Sequence, residues 1–199
     1  LLVAEGLIEP HFSAGFSGGR KSVLPGIAGN QTVLANHCAE FIGSDYAKTG
    51  ILEHNPIHCD MLFAAQQAKL AFIINVVIDE NKNIVKAFAG HYEQAHQAGC
   101  DFLYQWARIE VPQSDIIITS NGGYPLDQNI YQAVKGMSTV RAAVKDDGVI
   151  IMVSGCNDGY GGQSFFDSIT KAESPAQILK KQLKFHATKL FLISGNFRY

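Results

Sequence analysis

The sequence predicts an α/β protein in two domains, with the C-terminal half a Rossmann-like parallel sheet flanked by helices. Three observations predict it. The runs LAFIINVVID (70–79), DIIITSNGG (115–123) and VIIMV (149–153) have the length and β-branched content of buried strands. Helical patterns separate them, and in the second half a strand, a helix and a strand follow one another as in a parallel βαβ unit. Two of these strands open into glycine-rich loops, NGGYPLD and SGCNDGYGG. Ligands of open α/β sheets collect at such strand ends. The segment IEVPQSD, where Pro112 ends regular structure, divides the chain into domains at 1–109 and 110–199.

Composition narrows the function classes. The 199 residues suffice for a sizeable core, and 47% hydrophobic with 17% charged residues is ordinary for a soluble α/β protein. A formal net charge of −2 and a pI near 6.4 argue against a nucleic-acid partner. No apolar run reaches the ~20 residues that span a bilayer, so no membrane role is expected. The four cysteines (38, 59, 100, 156) stand singly and read as reduced, mostly buried thiols of a cytoplasmic protein. No signal peptide is visible at the start.

In chain order, LLVA reads as strand followed by a turn, and the glycine-rich stretch 11–37 follows. Asn30 is the expected N-cap of a helix QTVLANHCAEFI, with Val33, His37 and Phe41 on one face. Residues 44–55 are loop-like. His54 and His58 have the spacing of a helical zinc pair, but Asn55-Pro56 lies between them and Pro starts helices rather than continuing them. A zinc site there is not expected, and His91 with His96 offers less. A short helix over 57–68 leads into the strand 70–79. The turn Asn81–Asn83 returns the chain as an antiparallel strand IVKAFAG. Over 92–108, Ala95, Ala98, Phe102 and Trp106 share a helical side, with Trp106 read as core or inter-domain packing. After the strand 115–123, a helix capped by Asp127 and closed by Gly136 places Gln128, Gln132 and Lys135 on one face. A second helix from Ser138 to about Lys145 precedes VIIMV. Residues 163–185 read as an amphipathic helix with Lys171, Lys180, Lys181 and Lys184 as its wet face, and LFLI (190–193) as a last strand.

The stretch HFSAGFSGGRKSVLPGIAGNQTVLANH concentrates the chemistry. Its glycines permit positive φ and close backbone approach. Arg20-Lys21 supplies charge for an anion or an amine for covalent chemistry. A glycine loop before a helix resembles an anion cradle. Gly15 to Ser22 has the spacing of a Walker A loop but carries Arg20 where its second glycine belongs, so a nucleotide triphosphatase is not expected. GFSGG lacks the G-x-G-x-x-G of a dinucleotide fold, leaving an NAD oxidoreductase as an alternative without its motif. A non-catalytic phosphate-binding module held by Arg20 and Lys21 is the other alternative.

The strings IEPHFSAGFSGGRKSVLPGIA, ANH (35–37), HNPIH (54–58), FIINVVID, AFAG (87–90), SNGGYPLDQNIYQAVKGM (120–137) and GVIIMVSGCNDGYGG (148–162) together resemble the nickel-pincer lactate racemase family. The resemblance covers most of the chain. It implies a racemase or epimerase of 2-hydroxy acids that works by proton-coupled hydride transfer through a 2-keto acid. It implies a nickel-pincer nucleotide, a pyridinium nucleotide holding nickel through a carbon and two sulfurs, attached to Lys21. By the same resemblance His37 is the protein's nickel ligand and His11 an acid/base histidine. Gln132 and Lys135 are its substrate contacts. Partners are then a small 2-hydroxy acid and the proteins that build the cofactor. Family members carry a second acid/base histidine and a carboxylate-binding arginine in a portion before this stretch. The chain is therefore expected to be a fragment of an enzyme roughly twice as long, with 1–109 ending the cofactor-bearing domain.

Overall fold

A computed structural model describes residues 1–171 and 189–194, and the chain divides into two compact units, 1–109 and 110–199. The architecture is mixed α/β. In the first unit β1 (Leu2–Leu7) pairs in parallel with β4 (Leu70–Ile78), which pairs antiparallel with β5 (Ile84–Gly90). The short strands β2 (Pro10–His11) and β3 (Gly15–Phe16) form a hairpin beyond β1. A 3-10 turn, Gly19–Ser22, follows them. The helices are α1 (Asn30–Asn36), α2 (Ala39–Gly43), α3 (Pro56–Gln67) and α4 (Gln94–Ala107).

Local chemistry explains the best-defined of these starts. The Asn55 side chain accepts from the N–H groups of Ile57 and His58, and Pro56 fills the first helical position, where a missing N–H costs nothing. His54, at φ 58°, stays outside the helix and exposed while His58 is buried inside it, so the two rings form no pair. The expected long helix over 30–42 is instead two. Gly29 is the N-cap, Asn30 is already helical, and the chain breaks at His37–Cys38.

Several expectations of burial fail in this unit and the next. Strand β4 is buried on one side only: Ile73 is in the core while Phe72 and Ile74 are exposed. On α4 the inward residues are His96, Gly99 and Cys100, and Trp106 is 74% exposed. The apolar count along a helix had favoured its aromatic side, but the side turned in carries a buried imidazole that no hydropathy pattern reveals. Of the four cysteines, Cys100 and Cys156 are buried, Cys38 is half-buried and Cys59 is exposed. Among the described residues no helix is long and apolar enough to cross a membrane.

The second unit is a parallel sheet in the order β6 (Ser114–Ser120), β7 (Val144–Val153), β8 (Lys189–Ile193). Between β6 and β7 runs α5 (Ile130–Thr139), and α6 (Gln163–Thr170) follows β7. Ala133, Val134 and Met137 of α5 and Phe165 of α6 pack on Ile150 and Met152. Strand β6 is not buried as expected, since Ile116 and Ile118 stand exposed. The expected helix 163–185 with Lys180, Lys181 and Lys184 extends outside the described residues.

The α5 boundaries differ from the pattern. Asn129 is the N-cap, its side chain accepting from Gln132 N–H at 3.0 Å. Asp127 instead joins the two strand-end loops: its carboxylate accepts from Gly155 N–H at 2.8 Å and its carbonyl from Cys156 N–H at 2.9 Å. The helix also runs through Gly136 to Thr139, and a 3-10 turn (Arg141–Ala143) replaces the second helix. Gly136 is there for space, because a Cβ would strike Asn121 Oδ1. Asn121 is fixed by donating to the carbonyls of Leu126 and Gln132. In an open helix, Gly→Ala gains about 0.5–1 kcal/mol. Here Gly136→Ala is expected to destabilise by about 1–3 kcal/mol through overpacking, measured by urea unfolding.

Candidate functional site

The site begins at the end of β1, where the hairpin β2–β3 turns the chain back on itself. Within that hairpin His11 folds inward: its Nδ1 accepts from the N–H of Ala14 at 3.1 Å and of Ser13 at 3.4 Å. Ser17 closes the hairpin base by accepting from Glu9 N–H and donating to the Leu7 carbonyl. The chain then enters the 3-10 turn through Gly18 and Gly19, both at positive φ. A Cβ on Gly18 would meet the Leu7 carbonyl at 2.8 Å, and one on Gly19 would meet the His96 ring at 2.8 Å. These glycines therefore allow close packing, whatever else the loop binds. The Gly19 N–H that an anion cradle would use is taken by Asn75 Oδ1 at 2.8 Å.

This tight turn sends Arg20 and Lys21 in different directions. Arg20 is 0% exposed. Its Nη2 donates to the Ala14 carbonyl at 2.7 Å and its Nη1 to the Gly18 carbonyl at 3.4 Å. Nη1 also lies 2.8 Å from His96 Nε2, while Nε finds no partner. Arg20 is thus a structural cation and is not available to hold a phosphate, against the anion-binding alternative. Lys21, half-buried, extends its Nζ to 3.2 Å from His11 Nε2.

Arg20 sits among neutral groups. Burial, and then the charge of Arg20, hold His96 down at about 3 and His58 at about 3, so both rings are neutral at physiological pH. Burial pushes the Cys100 thiol up to about 12, with Arg20 opposing the shift. Burial lowers Arg20 itself to about 10, with Cys100 opposing. Arg20 remains charged.

His37 is the C-cap of α1, half-buried, with Nδ1 donating to the Val33 carbonyl at 3.0 Å. That bond puts the proton on Nδ1 and leaves the Nε2 lone pair for a metal, the usual arrangement of a ligating histidine. Asn36 beside it is fully buried and donates to the Ile57 carbonyl and Asp60 Oδ2, tying the end of α1 to α3. Val33 packs on the cluster of Ala14, Leu24, Ile57 and Met61. The first unit thus brings His11 and Lys21 into contact and holds His37 on a helix packed against the same core. Among the described residues no three His, Cys, Asp or Glu side chains converge on a metal position. A metal taking His37 Nε2 would bring its other ligands with it.

Gln132 and Lys135 belong to the second unit, on α5. Gln132 is half-buried, with its backbone fixed at both ends by Asn129 and Asn121. Lys135 Nζ lies 5.2 Å from the centre of the Tyr131 ring, and burial lowers its ammonium below the ordinary lysine range. Sequence reasoning missed Asn75, Asn36, His58 and His96 as parts of the site. Asn75 alone carried a signal, being a polar residue inside an apolar strand run.

Residues 1–50 match the lactate racemase N-terminal domain family and residues 109–192 the lactate racemase C-terminal domain family. A lactate racemase of Thermoanaerobacterium thermosaccharolyticum is 60% identical over 183 residues, 92% of this chain. One of Lactiplantibacillus plantarum is 56% identical over 183 residues. The chain spans 43% of the length of each. The solved lactate racemase apoprotein from Thermoanaerobacterium thermosaccharolyticum matches with a TM-score of 0.90 at 52% identity, over 98% of this chain and 52% of that one. A Thermotoga maritima protein at 19% identity, covering 97% of this chain and 56% of its own, shares the fold with a TM-score of 0.66.

Two outcomes are expected. Replacing Asn75 by Leu leaves the buried Gly19 N–H unpaired, which costs about 1–3 kcal/mol in thermal or urea unfolding. Stability also falls with acid. His58 and His96 have folded values near 3 against 6.5 when unfolded, so the unfolded chain takes these protons first. Stability is complete above pH 6.5 and is lost toward pH 3, by at most about 1.4 kcal/mol per pH unit for each ring. Unfolding midpoints at pH 7 and pH 5 measure this, and equal midpoints would contradict it.

Proposed function

The chain belongs to the lactate racemase family, and from that premise we propose that it supplies the cofactor-bearing and substrate-contacting parts of a racemase or epimerase of 2-hydroxy acids. The observation that carries the reading is the 3.2 Å approach of Lys21 Nζ to His11 Nε2, one amine and one acid/base imidazole at a single point. Lys21 would carry the nickel-pincer nucleotide covalently. His37 would offer its Nε2 lone pair to the nickel, and the Val33 carbonyl that accepts from Nδ1 fixes the orientation of the ring. The donor set fits this group, since a single imidazole suffices for a metal that arrives already bound to carbon and sulfur. When bound, such a cofactor supplies the electrophile that takes the α-hydrogen with its electron pair and returns it to either face.

The remaining work falls to side chains of this chain. An α-hydrogen beside a carboxylate is barely acidic and hard to remove as a proton; leaving as hydride while the hydroxyl proton departs avoids a dianionic carbanion and forms a 2-keto acid. His11 is the group for that proton. While Nδ1 accepts from the Ala14 and Ser13 N–H groups, a neutral ring carries its hydrogen on Nε2. To act as the base at Nε2 the ring releases those bonds. Positioned proton transfer of this kind contributes about two to four powers of ten. Gln132 and Lys135 would hold the carboxylate or the developing carbonyl oxygen, and the partial burial of Lys135 strengthens its hydrogen bond to an anion.

The test uses full-length enzyme produced together with the cofactor-building proteins. A covalent mass increment on Lys21 and stoichiometric nickel are expected, with loss of optical rotation of a 2-hydroxy acid. Lys21→Ala abolishes all three. Lys135→Ala retains the covalent mass and nickel but lowers kcat/KM by about 10² or more. Active enzyme without nickel would overturn the assignment.

A further inference from the structure

We propose that Arg20 is the positioning residue of this site: its buried guanidinium sets the approach of His11 to Lys21. The inference rests on the reading of Lys21 as the tether. His11 and Lys21 come from different segments, the hairpin turn and the 3-10 turn, and one rigid group bridges the two. Arg20 Nη2 donates to the carbonyl of Ala14, the residue whose N–H fixes His11 Nδ1. Arg20 Nη1 donates to the carbonyl of Gly18, the residue whose carbonyl also accepts from Lys21 N–H at 3.1 Å. The planar fork therefore reaches each catalytic side chain through one intervening residue.

The other end of the fork is equally defined. His96 Nε2 lies 2.8 Å from Nη1 and 2.8 Å from the Ser17 carbonyl, seating Arg20 on α4. His58 of α3 stacks toward that ring with centroids 6.5 Å apart. The Ala14 and Gly18 carbonyls that accept from Arg20 and the His96 ring beside it are neutral, and no carboxylate pairs with it among the described residues. A lone buried cation is costly. A lysine could carry the same charge but presents no fork, and a hydrophobic side chain would leave the Ala14 carbonyl without its donor. Arginine suits the position because its planar donors can bond to both turns at once while its edge lies against His96 of α4.

The test has two arms on full-length protein. In unloaded enzyme with isotope-labelled histidine, Lys21→Met is expected to displace the NMR titration midpoint of His11 by about 0.5 pH unit or more, because the groups touch. In an Arg20→Lys background that displacement should shrink at least about threefold, the charge being kept and the fork lost. In enzyme made with the cofactor-building proteins, Arg20→Lys should lower the fraction of Lys21 carrying covalent mass. His96→Gln, whose amide can donate to the Ser17 carbonyl and accept from Arg20, should restore what His96→Leu removes. A cooperatively folded Arg20→Lys protein with undiminished displacement and full loading would overturn the proposal. Where Arg20→Lys fails to unfold cooperatively, His96→Leu replaces it and is judged by the same readouts. Wild-type enzyme lacking mass on Lys21 would sink the tether reading instead, and the titration arm would still decide the positioning role.

Discussion

The buried bond from Gly19 N–H to Asn75 Oδ1 is the constraint on which the first unit depends. Asn75 lies in the middle of β4, between β1 and β5, where the backbone is already paired on both sides. Only its side chain is left to reach out of the sheet. By taking the Gly19 N–H it fixes where the 3-10 turn begins, and Gly18 and Gly19 have no Cβ to prevent that closeness. An unpaired N–H at that depth would cost more than the bond returns, so the contact selects one arrangement of the turn over its alternatives.

From that turn two neighbouring cations reach opposite ends. In a 3-10 helix successive side chains point about 120° apart, so one of them entering the core makes the other leave it. Arg20 enters, because two backbone carbonyls await a planar donor there beside a neutral imidazole. Lys21 leaves, and meets His11. The same division explains why His58 and His96 stay neutral: a fixed charge beside them and little water both oppose a second proton. The first unit thus keeps one cation buried and the next in sequence half-buried beside His11.

The second unit solves a similar problem with a carboxylate. Asp127 binds the loop after β7 by side chain and backbone together, so the two strand-end loops behave as one piece. Asn121 and Gly136 then press that piece onto α5. Gln132 and Lys135 are presented by a helix held at its N-terminus and at its middle. Precise placement of polar side chains on a short helix needs such anchors, since the helix alone has few contacts.

Local pattern by itself determined the strands β4 to β8, the helices α3 to α5 between them and the helix start at Pro56 capped by Asn55. Those features are set by propensity, capping chemistry and motif spacing within a few residues of themselves. The tertiary structure decided which face of β4, β6 and α4 is buried, that His37 ends a helix instead of lying within one, that Gly136 is a contact and not a terminus, and that Arg20 turns inward while Lys21 does not. Each of those outcomes depends on a group arriving from far along the chain: Asn75 and His96 at the turn, Ile57 and Asp60 at Asn36, Asn121 at Gly136. Burial and hydrogen-bond partnership are properties of such meetings, and periodicity along one segment holds no information about its visitor.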